Sequence, residues 1–174
     1  MVASAIQGGY TGDPSQLSFL DLHDGYSPDE ARALLTAWGP YGRRLYFLVE
    51  GIDCTLYHAG YRGFLVVVAN QLARGLKSKW PPAGNLALLA VLPVLLAAID
   101  FLEDAGQVAM VFAYEKSIPE EAWGALVGAA SFVNQSKWVL CRCTVTSLVV
   151  EAVALFGLTY LIPSATENGT NGEK

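Results

Sequence analysis

Charge is scarce in this chain, and groups that bind metals are scarcer still. Asp, Glu, Lys and Arg make up 16% of the residues, against ~25% in typical soluble domains. Two histidines and three cysteines do not suggest a metal centre. Cys141 and Cys143 stand two apart on an apolar segment, and helix positions i and i+2 do not face each other. They read as small buried apolar residues, and three thiols make no disulfide framework. Positive charge is also short. The net charge is −5, which argues against nucleic acid as a partner. The chain has no H-E-x-x-H, G-x-S-x-G or Walker pattern, which disfavours hydrolase and nucleotide chemistry. Met1–Tyr10 has neither a basic start nor an apolar run, so no secretory signal is expected there. It is not Arg-rich like a transit peptide either, and the compartment stays open.

Apolar residues are what the chain has in excess. They make up 53% of it, and the mean hydropathy is +0.36. This predicts an all-α integral membrane bundle with three long transmembrane helices and a short amphipathic helix before them. Residues 1–25 are expected as a flexible arm, 26–163 as the helical domain and 164–174 as a disordered tail. Ser27-Pro28-Asp29-Glu30 is a capping box with proline at the first helical position. Gly39-Pro40 should end that helix, whose Ala31, Leu34, Leu35 and Trp38 share one face, as in a segment lying on a membrane surface.

The first span is expected near Leu45–Leu72, interrupted by Glu50, Asp53, His58 and Arg62, and Pro81-Pro82 closes the loop after it. The second runs from about Asn85 to Tyr114, and the third over Val139–Leu161. Ser117 to Glu120 reads as another helix start. From there helical character continues to Ile162, a length of roughly 65 Å at ~1.5 Å per residue. Such a helix either projects from the membrane or breaks near Asn134-Gln135-Ser136. Gly124 and Gly128 form a small-xxx-small pair suited to close packing. The first loop carries Arg74, Lys77 and Lys79 without an acid. By the basic-loop rule it faces inward, with the N-terminus outside and the C-terminus inside.

Each span carries a polar stripe at helical spacing. Tyr46, Glu50, Asp53 and Tyr57 line one face, Asp100, Asp104 and Gln107 another with Glu103 beside them, and Asn134, Lys137, Cys141, Thr144 and Glu151 a third. Asp53 falls roughly 12 Å past the outer start of its span. Asp100 falls about 9 Å from the outer boundary of a ~30 Å core. The expected cluster is therefore Glu50, Asp53, Asp100 and Glu103 with Lys137, joined by Arg43 or Arg44. A central charge costs ~2.5–3.5 kcal/mol while a leucine returns only ~0.3–0.6. The cluster must be paired, protonated or hydrated.

These motifs resemble those of an uncharacterised family of small multi-pass α-helical membrane proteins. The likeness rests on Gly42-Arg43 with Tyr46, Asp53 and Tyr57, on Leu92-Pro93 with Asp100 and Glu103, and on Ala130-Ser131 with Lys137-Trp138. The chain departs from the family pattern at Asp104, where an asparagine is usual, and lacks a proline near Tyr57. The resemblance implies the fold and no activity. Two function classes remain. One is a structural or accessory subunit of a membrane complex. The other is a membrane-embedded binder, transporter or enzyme using Arg43, Tyr46, Glu50, Asp53, Tyr57, Asp100, Glu103 and Lys137 for a lipid-like ligand, ion or proton. The partners expected are the lipid bilayer and other membrane subunits or copies of the chain.

Overall fold

A computed structural model describes residues 19–82 and 89–160, apart from the side chains of Asp21 and residues 57–59. The arm before residue 19, the expected start of the second span and the tail lie outside the described residues. Every element described is helical. A short 3-10 turn at Leu20–Leu22 precedes α1 (Pro28–Ile52), a π-helical segment (Asp53–Arg62), α2 (Gly63–Lys79), α3 (Val91–Lys116) and α4 (Glu120–Tyr160).

The start of α1 is built as its sequence dictates. The Ser27 hydroxyl accepts from the Glu30 N–H, and the Ser27 N–H donates to Glu30 Oε2 at 2.7 Å. Gly39, at φ 62° and ψ 179°, then interrupts the helix before Pro40. That geometry suits glycine, and it sets the first three turns at an angle to the rest. Their apolar face does not wait for a membrane surface. Ala31 and Leu35 are fully buried against the bundle, in one core with Leu20, Tyr46, Met110 and Trp123.

The π segment re-phases the first rod, the continuous run of α1 after Gly39, the π segment and α2. An α-helix turns about 100° per residue, so Asp53 and Arg62 would end about half a turn apart. The i→i+5 bond pattern winds at roughly 82° per residue and brings them round to the same side. Arg62 is accordingly buried, and the inward face continues through Leu65, Ala69, Ala73 and Leu76.

At the hairpin end of the bundle, Ser117 is not a helix start but the left-handed cap that ends α3, at φ 50°. From there α4 runs unbroken for 41 residues. It passes straight through Asn134-Gln135-Ser136, and it packs on both α3 and α2. Its close approach to α3 is at Gly106, where an added Cβ would lie 3.2 Å from Ala130 Cβ. Gly124 and Gly128 have open space instead. Residues 19–25, expected as part of a loose arm, are docked: Leu20 is buried, and the Tyr26 N–H donates to Ser131 Oγ at 2.9 Å. Only α4, among the described helices, is long and apolar enough to cross a membrane by length and composition.

Gly106→Leu should force α3 off α4 and cost about 1–3 kcal/mol, read as a lower unfolding midpoint in detergent. The capping box predicts a pH effect. The Ser27 backbone N–H and hydroxyl hold the Glu30 carboxyl below the usual range. Its contribution is complete above the unfolded value of about 4.3 and is lost as pH falls through the lower folded value. Glu30→Gln should therefore lower the melting temperature at neutral pH, and the two proteins should converge in strong acid.

Candidate functional site

Four charges from three helices form a chain across the bundle. Arg62 meets Asp100 Oδ2, Lys137 Nζ lies 3.7 Å from Asp100 Oδ1, and Lys137 also meets Glu103 Oε2. Asp100 is 4% exposed and Glu103 is fully buried. The other oxygen of Glu103 accepts two amide donors, Gln107 Nε2 at 2.9 Å and Asn134 Nδ2 at 2.7 Å. Each carboxylate thus faces donors on both oxygens, the arrangement that allows a buried charge. Asn134 Nδ2 also donates to the Leu20 carbonyl at 3.0 Å, tying the segment before α1 to the network.

A second acidic group lies beside the first. Cys54 Sγ donates to Asp104 Oδ2 at 3.2 Å, and Glu50 and Asp53 are close enough to act on the same thiol electrostatically. A pocket of about 270 Å³ opens next to the charge chain. Its walls include Asp53, Arg62, Asp100 and Lys137, with Tyr61 and Trp138 supplying rings.

No family model, curated protein or solved structure matches this chain. The site therefore rests on its own geometry. Asp100, Glu103 and Lys137 come together as the sequence predicts, and Asp53 stands at the pocket that Asp100 and Lys137 line. Glu50 is buried on the same rod. Arg43 does not join them. It sits at the hairpin end, where it donates to the Leu35 carbonyl at 2.8 Å, reaches Glu115 at 3.4 Å and stacks over Tyr114. Arg44 is exposed. Tyr46 is core, its ring 4.5 Å from Trp38 and 6.1 Å from Phe19 between centroids. The Tyr57 side chain lies outside the described residues. A larger cavity of about 570 Å³ surrounds Arg32, Arg43 and Tyr114, but both guanidiniums there already meet glutamates.

The residue that sequence reasoning missed is Arg62. Its charge inside an apolar segment was the available signal, but α-helical phasing puts it opposite Asp53. Arg62→Met should cost up to about 3–5 kcal/mol, because it takes the closer of two cations from a buried Asp100. Arg62→Met with Asp100→Leu should cost less than Arg62→Met alone. Unfolding of the three proteins in detergent reads this difference.

Proposed function

We propose that this chain is a three-span membrane bundle serving as a structural or accessory subunit of a membrane complex. The observation that carries this reading is an inverted distribution of polarity. Asp100, Glu103, Asp104, Gln107 and Asn134 are buried, while Leu48, Leu56, Phe64, Phe101, Val153 and Phe156 are exposed. A water-soluble bundle hides its large apolar side chains, and a bilayer reverses that preference. The acids that lower the apolar character of the first rod and of α3 are turned inward, so the faces left outside are apolar. The three spans are the first rod, α3 and the part of α4 after Val139. With the basic loop inside, the hairpin end faces outward.

The structural role follows from how the charges are used. The Arg62–Asp100–Lys137–Glu103 chain closes within the bundle and fixes the helices against one another. Ala125, Gly128 and Ala129 are exposed on α4, a small-residue face suited to close contact with another helix. The resemblance supports the same fold, since Asp100, Glu103 and Lys137 carry part of it. The pocket favours a second reading, a membrane-embedded binder, because two cations, two acids and two rings line a space of about 270 Å³.

Native mass spectrometry of the chain, extracted gently from its own membrane, separates the two. Stoichiometric partner subunits are expected. A lone chain or homo-oligomer carrying one small-molecule or lipid mass, lost in Asp100→Asn, would overturn the accessory role in favour of the binder. On the structural reading Asp100→Asn and Lys137→Met lower protein level or assembly.

A further inference from the structure

The half of the bundle away from the hairpin holds an acid that the charge chain does not use. Glu151 lies on α4 about 14 residues beyond Lys137, roughly 21 Å along the helix at ~1.5 Å per residue. It is 2% exposed, and its Oε2 has no hydrogen-bond partner among the described residues. Thr144, two turns earlier on the same face, is fully buried with its hydroxyl equally unpartnered. Leu155, one turn beyond Glu151, packs against Gly75 of α2.

Among the described residues, no base faces this acid. The buried positions of α2 at this level are Ala69, Ala73 and Leu76, all apolar. Arg74, Lys77 and Lys79 are exposed, and Arg62 is engaged by Asp100. From Val91 to Ile99, α3 carries no ionisable residue. On α4 itself, Lys137 is held by Asp100 and Glu103, and Arg142 is exposed and bridged to Asp24. Cys141 and Cys143 supply no positive charge. An ionised carboxylate here would be buried without a counter-charge, at several kcal/mol. A metal cation does not resolve this, since Ca²⁺ takes 6–8 oxygen ligands and this face offers one carboxyl and one distant hydroxyl.

We propose that Glu151 is a proton-binding site, occupied at neutral pH, so that the side chain stands in the bundle as a neutral acid. The inference rests on the three-span reading, which keeps water from this half. The charge chain and Glu151 then solve one problem in two ways. The first compensates its acids with bases, and the second compensates its acid with a proton. Thr144 places a further polar group between them.

The test is infrared spectroscopy of ¹³C-glutamate-labelled protein in bilayers at neutral pH. The wild type minus Glu151→Gln difference should contain the carbonyl band of a protonated carboxyl, shifted in D₂O. A difference containing carboxylate bands instead would overturn the proposal. Glu151→Leu is the second variant, and it should be at least as stable as the wild type, because a neutral acid holds no ion pair. Loss of folded protein in both variants would mean that Glu151 makes an ionic contact, and would sink the idea. Alkaline carbonate extraction of the same membranes keeps the two readings apart. Release of the chain would end the three-span reading, while the infrared band reports on Glu151 directly.

Discussion

The fold depends on one chain of buried charges. Arg62 comes from the first rod, Asp100 and Glu103 from α3, and Lys137 from α4. Because consecutive members sit on different helices, no helix can rotate or slide without stranding a charge. Dispersion between apolar faces does not give that specificity, since leucines exchange neighbours at small cost. Removing one ion from such a set is far more costly than never having built it. The rest of the bundle accommodates this constraint. α3 approaches α4 closely at Gly106 and Ala130, three and four residues from Glu103 and Asn134. The spacing between these two helices is therefore short where the ion pairs must meet.

The π segment is the clearest accommodation. Such windings are rare and occur often at functional sites. Here the winding does definable work. It places Asp53 and Arg62 on one side of the rod, where α-helical phasing would set them about half a turn apart. The underwinding is spread over a segment that holds Asp53, Cys54 and Tyr61, three residues of the acidic group and the pocket. The pocket and the completed charge chain thus have a common origin in one departure from α-helical geometry.

Much of this was legible in the sequence, and the exceptions share a cause. The capping box, the interruption at Gly39-Pro40 and the meeting of Asp100, Glu103 and Lys137 all follow from regular α-helical spacing. Arg62 was not legible, because spacing arguments assume 3.6 residues per turn throughout. Asn134-Gln135-Ser136 looked like a break because it is polar. Asn134 is polar because it serves Glu103 and Leu20 from inside an intact helix. Arg43 looked like a partner for the acids because it flanks the first span, yet the Gly39 interruption sets it among Leu35, Tyr114 and Glu115. The docking of residues 19–25 could not be read from their composition. It depends on donors and acceptors, Ser131 and Asn134, more than a hundred positions away.

That docking also decides how the site can be reached. Leu20 is buried over the network, its carbonyl held by the same Asn134 amide that serves Glu103. Above it lie Trp38 and Tyr46, both buried. The hairpin end is therefore sealed by an apolar layer, and sealing strengthens every ionic contact beneath it by lowering the local dielectric. The pocket beside Asp53 and Trp138 is walled instead by Leu22, Tyr61, Leu96 and Cys141 with the charged groups, none of which belongs to that apolar layer.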